Sequence, residues 1–372
     1  MNYQEIDAAN QSLIKALYYK GLSALREKEP ELFYQEKEHF LLGNMFDTIM
    51  TDPLNFRKKF YVSDLDSKPS PTLMSIINKA FALRKDNMFH YNDPKFLQYM
   101  DEEGWHVGKG EKRLTYKAWL ESNVREYWNA LVESEGKETV TIEEYEKVMN
   151  ASQKVMESIP FVTMIPELNV HNQFSLEATY TLDKDTKIPI KGLLDQVIFR
   201  NENEGKWDEI CESLQIENNH DAIIIDYKTF SGLSMKYKYS IRKFRYDVQA
   251  SFYQLLLEEN YANYIQIGNM PVKELYKVAV VNVVANLNID EPSFVWKYSQ
   301  EDLDIAEFGA WHTTPHEYHI ADPYHINDLD IDEVDIPGFR QMLQRYHWYK
   351  MNNFETEYGF ENNILNNNAW NY

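Results

Sequence analysis

Cysteine is almost absent from this sequence of 372 residues, which contains a single one, Cys211. One thiol cannot build an intramolecular disulfide framework, a cysteine-rich zinc site or a four-cysteine iron–sulfur cluster. Positive charge is also scarce, because 38 lysines and arginines stand against 59 aspartates and glutamates, a formal net charge of −21. This balance excludes a generic basic coat for nucleic acid, although a local basic strip can still guide phosphates.

The sequence also lacks a long hydrophobic run. The longest apolar stretch, 278–287, is interrupted by Asn282 and Asn286 and is too short to cross a bilayer. The opening residues, MNYQEIDAANQ, contain neither the basic nor the apolar region of a signal peptide. We therefore expect no membrane partner and a cytoplasmic location. Hydrophobic residues make up 44% of the chain, enough for a sizeable core, which excludes wholesale disorder.

The spacing of apolar residues predicts a helical first half and a mixed second half. Residues 1–160 follow a mixed three- and four-residue spacing that is typical of helices. Beyond them the pattern predicts two paired strands at 173–182 and 189–200 and a buried strand at 222–226. A helix at 245–258 and two further strands at 275–285 and 293–298 follow. The predicted class is α/β: a central mixed sheet flanked by helices, with a helical N-terminal half.

These patterns predict three regions. Residues 1–160 form a mostly helical region, 161–300 form the core, and 301–372 form an acidic extension that ends in an asparagine-rich tail. The extension also contains four histidines, whose spacing fits no standard zinc site and whose neighbouring prolines interrupt any helix. We interpret this segment as a loop with incidental histidines, which are His312, His316, His319 and His325.

Two carboxylates and a lysine follow the predicted core strands in an order that suits phosphodiester hydrolysis. Asp195 lies in GLLDQVIF, and Asp226 and Lys228 end the run IIIDYKT. Carboxylates from adjacent strands can hold a hard divalent cation, Mg²⁺ or Mn²⁺, which activates water and neutralises charge on phosphate. Lys228 points to the same side of its strand as Asp226, where its ammonium can hold the attacking water or the phosphate oxygens.

The next predicted helix adds Gln249 and Tyr253, which lie four residues apart and so on one face. Gln249 can orient the water or the lysine, and Tyr253 can reach the DNA backbone. Each position alone also fits an ordinary role, because D-x-K arises by chance and Asp195 or Gln249 can be a solvated surface residue. The joint order favours the catalytic interpretation.

That order resembles the PD-(D/E)XK nuclease superfamily, in its RecB-like and exonuclease VIII (RecE-like) branch. The three motifs read GLLD, IIDYKT and YDVQASFY, at 192–195, 224–229 and 246–253. The resemblance extends over 39–62 and 173–258, and it covers neither 63–172 nor the segment after 300. It implies a restriction-endonuclease-like fold.

The segment 39–62 is similar to the opening helix of the branch, which it matches at Gly43, Pro53 and Phe56. The histidine that ligates metal in RecB-like enzymes falls on Asp47 here. Aspartate is a good ligand for a hard cation, so the resemblance implies Asp47 as a third ligand, with a degenerate corner as the alternative.

Another position of the resemblance is Glu177, which falls where the branch often has a glutamate in its first strand and is therefore a fourth candidate ligand. Some RecB-like relatives carry an iron–sulfur cluster bound by cysteines, and the lone Cys211 excludes such a cluster here.

The resemblance implies a Mg²⁺-dependent exonuclease that acts on duplex ends in phage-type recombination or DNA processing, in the host cytoplasm if a phage encodes it. It also implies DNA, a single-strand annealing protein and further copies of the chain as partners. Two alternatives stay open. One is an inactive nuclease fold that binds DNA or serves assembly, and the other is a structure-dependent endonuclease.

A run of basic and aromatic residues at 236–246, KYKYSIRKFRY, is a candidate DNA contact. It contains three tyrosines and no acidic residue. Its cations are Lys236, Lys238, Arg242, Lys243 and Arg245. Interleaved basic and aromatic residues beside a nuclease motif suit a loop that contacts DNA, and an ordinary solvated loop is the alternative.

Overall fold

The computed structural model describes residues 7–20, 37–65, 67–82, 84, 87, 98, 124–261, 264–267, 270–273, 276–314, 317–320 and 337–351. The helices within these residues are α1 (Gln11–Lys20), α2 (Lys37–Thr51), α3 (Phe56–Lys59), α4 (Pro71–Ala82), α5 (Val124–Ser134), α6 (Ile142–Ser158), α7 (Pro160–Met164), α8 (Trp207–Leu214), α9 (Tyr237–Phe244), α10 (Tyr246–Tyr261), α11 (Gln300–Phe308) and α12 (Phe339–Met351). The strands are β1 (Phe60–Ser63), β2 (Glu138–Thr141), β3 (His171–Thr181), β4 (Lys187–Phe199), β5 (Ala222–Phe230), β6 (Tyr264–Ile267), β7 (Met270–Lys273), β8 (Val278–Asn286), β9 (Phe294–Lys297), β10 (Ala310–Thr314) and β11 (Glu317–Ile320).

The chain divides into two compact units. The larger unit joins Met1–Gly43 to Gln153–Tyr372, and the smaller unit is Asn44–Ser152. The predicted region 1–160 therefore contributes to both units, and the acidic extension shares a unit with the core.

The larger unit is built on a five-stranded sheet in the order β3–β4–β5–β8–β9. The pair β5–β8 is parallel and the other three pairs are antiparallel. Strand β8 is buried along its whole length, and β5 is buried from Ala222 to Tyr227, as expected for central strands with both faces covered. The predicted class, a mixed sheet flanked by helices, is confirmed.

Helix α10 packs directly on the sheet. Its residues Val248, Phe252 and Leu256 are buried in the same core cluster as the apolar residues of β4 and β5. The approach is so close that a Cβ at Gly192 of β4 would lie 2.4 Å from Leu256 Cδ1 and 3.3 Å from Tyr253 Cε1. The glycine of the GLLD motif thus lets α10 bring its polar residues to the sheet.

The described N-terminal segment, residues 7–20, joins this core. Ala9 forms a parallel bridge with Ile190 of β4, so the segment extends the sheet beside the outer half of that strand. Helix α1 follows and buries Ile14 and Leu17 in the core cluster that also contains α10. The N-terminal helix is therefore part of the sheet-bearing unit.

The smaller unit combines the parallel pair β1–β2 with helices packed around a separate core. The rings of Phe81 and Trp128 meet edge to face at 5.1 Å, joining α4 to α5. No helix in the described part of the chain is long and apolar enough to span a bilayer.

The structure corrects the prediction of a loop for the histidine segment. His312 and His319 lie on the antiparallel pair β10–β11, where the sequence predicted a loop. The prolines of this segment interrupt a helix, but neither strand of the pair, 310–314 or 317–320, contains one, so its ladder of hydrogen bonds can form. His316, His325 and the asparagine-rich tail lie outside the described residues.

Candidate active site

The sheet brings Asp195 and Asp226 together. Gln196 of β4 pairs with Ile225 of β5, so the antiparallel register continued by one step places the two aspartates opposite each other. The Oδ2 atom of Asp195 accepts a hydrogen bond of 3.0 Å from the backbone N–H of Tyr227. This bond holds the Asp195 carboxylate against β5 at the point where β5 carries Asp226.

Both carboxylate oxygens of Asp226 have protein partners. The Oδ1 atom accepts a hydrogen bond of 2.9 Å from Nε2 of Gln249, and the Oδ2 atom forms an ion pair with Nζ of Lys228. The side chains of Asp226 and Lys228 are only 5% and 15% exposed. Their charges therefore interact through a medium less polar than bulk water, which strengthens the attraction.

The charge state of Lys228 follows from these surroundings. Burial lowers the pKa of Lys228, but the carboxylates of Asp226 and Asp195 raise it by more, so the pKa lies above its ordinary value. Lys228 is consequently an ammonium group at neutral pH, able to donate hydrogen bonds to anionic oxygens and unable to accept a proton.

Gln249, which holds Asp226, also contacts a second lysine, Lys15. Its Nε2 atom also lies 3.3 Å from the hydroxyl of Tyr253, and its Oε1 atom accepts a hydrogen bond of 3.1 Å from Nζ of Lys15. Tyr253 is only 4% exposed, because its side chain extends from α10 toward Gly192 of β4. The expectation that Tyr253 reaches the DNA backbone is therefore wrong for this structure, which places it under the site.

Lys15 and Tyr246 are site residues that the sequence analysis missed. The ammonium groups of Lys15 and Lys228 lie 5.4 and 5.1 Å from the centroid of the Tyr246 ring, within the range of cation–π attraction. Burial, together with the nearby charge of Lys228, lowers the pKa of Lys15 to about 7. The only sequence signal for Lys15 is a lysine within the otherwise mostly apolar run LIKALYY.

The structure separates Glu177 from this cluster. Glu177 is exposed and pairs with Lys191, four residues along β4 from Asp195. At about 3.4 Å per residue the two carboxylates stand roughly 14 Å apart. Glu177 therefore does not share an ion with Asp195, and its prediction as a ligand is wrong. Its neighbours Leu176 and Ala178 pack into the core under α10, so Glu177 also points to the sheet face opposite the one on which Asp226 meets Gln249.

Asp47 lies on α2, in the smaller unit. The hydroxyl of Thr51 donates a hydrogen bond of 2.8 Å to its backbone carbonyl and lies 3.4 Å from its Oδ1 atom. The role of Asp47 as a metal ligand stays a prediction. Among the described residues, no group of three or more histidine, cysteine, aspartate or glutamate side chains has a geometry that could hold a metal ion.

The donor set of the site fits Mg²⁺ in part. Asp195 and Asp226 provide hard carboxylate oxygens on adjacent strands. Mg²⁺ is commonly bound through one or two carboxylates, with waters and substrate phosphate oxygens completing its octahedron. Two aspartates therefore suffice for a cation that binds together with a phosphodiester.

The predicted basic segment is a helix, α9, and not a loop. Tyr237 and Ile241, one turn apart, are buried, and Tyr237 accepts a hydrogen bond of 2.9 Å from Asn282 of β8. The opposite side of the segment presents four exposed cations, which are Lys236, Lys238, Arg242 and Lys243. Amphipathic spacing explains both results, because buried Tyr237 and Ile241 hold the helix on the sheet and leave the cations outside.

Arg245 does not belong to this exposed set. It is 1% exposed, and its guanidinium bonds to Asp247 through Nε at 3.1 Å and to the carbonyl of Pro337 through Nη1 at 3.2 Å. Its prediction as a DNA contact is therefore wrong, because the group is enclosed by protein. It also lies 4.3 Å from the ring centroid of Tyr18 on α1.

No protein-family model and no curated protein matches the sequence. Among solved structures, the chain is similar to a candidate exonuclease from Eubacterium rectale, with a TM-score of 0.27, 10% identity, and coverage of 74% of this chain and 79% of that chain. It is also similar to the protein SSO0001, with a TM-score of 0.22, 11% identity, and coverage of 62% and 79%.

Proposed function

We propose that this protein is a Mg²⁺-dependent deoxyribonuclease that hydrolyses DNA phosphodiester bonds. The observation that carries the proposal is the convergence of four side chains from β4, β5 and α10 in one largely buried cluster: Asp195, Asp226, Lys228 and Gln249. When bound, the cation supplies Lewis-acid chemistry, polarising the phosphate and lowering the pKa of water.

The side chains of the chain have separate tasks in this proposal. The ammonium of Lys228 donates to a non-bridging phosphate oxygen and stabilises the negative charge that grows as water attacks phosphorus. Asp195 and Asp226 supply the negative charge that attracts a cation into the site. Gln249 holds Asp226 through its amide, which keeps the carboxylate from rotating during the reaction.

The exposed cations of α9 provide the binding surface for the DNA backbone. Lys238, Arg242 and Lys243 project from a helix that leads directly into α10, which carries Gln249. In a chain of net charge −21, a run of cations without an acidic residue supplies a local attraction for phosphates.

We further propose, from the resemblance to the RecE-like branch, that cleavage is exonucleolytic and starts at duplex ends. A single-strand annealing protein and further copies of the chain are the partners that this resemblance implies. The structure-dependent endonuclease and the inactive DNA-binding fold are alternative outcomes of the same test.

The test is incubation of the purified protein with linear and closed-circular duplex DNA, with Mg²⁺ or with a chelator. We expect loss of the linear DNA alone, and only with Mg²⁺. The matched control is the Asp226→Asn variant, which should cleave neither form. Nicking of the circles would indicate an endonuclease, and intact DNA of both forms would support the inactive fold.

A further inference from the structure

The side-chain amide of Gln249 lies between two groups of opposite hydrogen-bonding character. On one side the carboxylate of Asp226, which can only accept, lies 2.9 Å from Nε2. On the other side the ammonium of Lys15, which can only donate while protonated, lies 3.1 Å from Oε1. Gln249 is 8% exposed, so solvent offers it few alternative partners.

These two neighbours select one of the two orientations of the amide. In the observed orientation the amide NH₂ faces the carboxylate and the amide oxygen faces the ammonium. Rotation by half a turn would place oxygen against oxygen and NH₂ against NH₃⁺, two repulsive contacts in a poorly solvated place. Without the ammonium, only the contact with Asp226 would oppose rotation, because the hydroxyl of Tyr253 can pair with either the NH₂ or the oxygen of the amide.

We propose that Lys15 is a positioning residue of the active site, which locks the amide of Gln249 in the orientation that holds Asp226. The proposal rests on the proposed nuclease function and extends it to α1, outside all three sequence motifs. Lys15 reaches Gln249 across 234 residues of sequence, and this contact is possible because the Ala9–Ile190 bridge fixes α1 beside the sheet.

The surroundings of Lys15 are unfavourable for a lysine whose role is only to stabilise the fold. A second ammonium, that of Lys228, lies against the same Tyr246 ring, and the two cations repel each other. An apolar side chain at position 15 would avoid both this repulsion and the burial of a charge. A fold retains such an unfavourable arrangement more readily where the charge serves a site.

The experiment compares Lys15→Met with Lys15→Arg and with a control, Lys350→Met. Lys350 also forms an ion pair, with Asp7 at 3.2 Å, and also lies near a tyrosine ring, that of Tyr346 at 5.7 Å. Cleavage of linear duplex DNA is measured as kcat and KM. We expect Lys15→Met to lower kcat by about tenfold to a hundredfold with little change in KM, because a catalytic contact is misplaced.

The conservative variant and a double variant separate positioning from other roles. Lys15→Arg should recover most of kcat, since a guanidinium also donates to Oε1, and Lys350→Met should match the wild type. In a Gln249→Met background, Lys15→Met should cause no further loss, because Lys15 acts through the amide. An additive loss, or full kcat in Lys15→Met, would overturn the proposal.

A second readout does not depend on cleavage. In protein labelled with ¹⁵N-glutamine, the side-chain signal of Gln249 is identified by its disappearance in Gln249→Met. We expect its amide protons to exchange with solvent at least about tenfold faster in Lys15→Met than in the wild type or Lys15→Arg. If the wild type cleaves no DNA, the proposed function fails while this exchange still supports or refutes the lock. Unchanged exchange refutes the lock whatever the activity.

Discussion

Arg242 and Arg245 lie three residues apart at the C-terminal end of the same basic helix, yet Arg242 is exposed and Arg245 is 1% exposed. The backbone explains the difference. Arg245 ends α9 in a left-handed conformation, with φ of 49°, and the chain turns there into α10. This turn directs Arg245 inward toward Asp247, so two arginines of one charge run have different tasks.

The two arginines provide a matched pair of variants. Arg245→Met should lower the free energy of unfolding by about 3 kcal/mol, because it leaves the largely buried Asp247 without its cation. Arg242→Met should leave stability within about 0.5 kcal/mol of the wild type, since its side chain is exposed. Urea unfolding of both variants measures the difference. Equal stability of the two would contradict the buried role of Arg245.

Removal of the exposed cations of α9 should weaken DNA binding. Replacing Lys238, Arg242 and Lys243 together by glutamine should lower the affinity for duplex DNA. Each lost phosphate contact should also reduce the slope of log affinity against log salt by about 0.9. Binding is measured with a chelator present, to prevent cleavage.

The control variant loses the same number of positive charges from the surface outside α9. Lys184, Lys187 and Lys277 are exposed lysines outside α9, and their replacement by glutamine also removes three positive charges. We expect this control to retain the salt slope. Equal losses in both triple variants would show that net charge, and not the surface of α9, determines the affinity.

Asp226 should be needed for both activity and stability. Asp226→Asn should reduce cleavage by about three orders of magnitude, because the site loses a charge that holds the cation. It should also destabilise the fold by about 3 kcal/mol, since the ammonium of Lys228 stays largely buried beside a neutral amide.

A double variant distinguishes these two effects. Adding Lys228→Met to Asp226→Asn removes the unpaired charge and should recover most of the lost stability, while cleavage stays absent. Thermal unfolding and the cleavage assay, performed on the same preparations, give both values. A double variant less stable than Asp226→Asn alone would contradict the ion pair between these side chains.

Lys15 should make stability depend on pH in a defined window. Its pKa is about 7 in the folded protein and 10.5 ordinarily, so between these pH values the unfolded chain binds more protons. The contribution of Lys15 to stability therefore rises with pH from about 7 to 10.5, and its full destabilising effect is present below pH 7.

The comparison of wild type with Lys15→Met isolates this contribution. Relative to the wild type, Lys15→Met should be more stable at pH 6 than at pH 9, in urea unfolding with a chelator present. A stability difference that does not change across this range would show that the pKa of Lys15 is not lowered.

The sequence predicted the parts of the site that depend on local pattern. Alternation and a continuous apolar run indicated β4 and β5, and helical spacing indicated α10, so Asp195, Asp226, Lys228 and Gln249 were identified together. These elements are each specified by short-range periodicity, and the order of strand, strand and helix is enough to bring their residues to one place.

The remaining assignments depended on tertiary information. Lys15 enters the site through a contact across 234 residues, which no local pattern indicates. The position of Glu177 relative to Asp195 depends on how β3 pairs with β4. The inward turn of Arg245 depends on one left-handed residue. Periodicity identifies a face of an element but does not determine register or the direction in which a chain leaves a helix.

The bridge between Ala9 and Ile190 also determines when the site can form. During synthesis the N-terminal segment leaves the ribosome well before its partner strand β4, and even longer before Gln249. Contacts so distant in sequence must overcome the entropy of closing a long loop, and they form slowly compared with local structure. We therefore expect docking of α1 to be a late step of folding, so that a nascent chain with the sheet already paired still lacks a complete site.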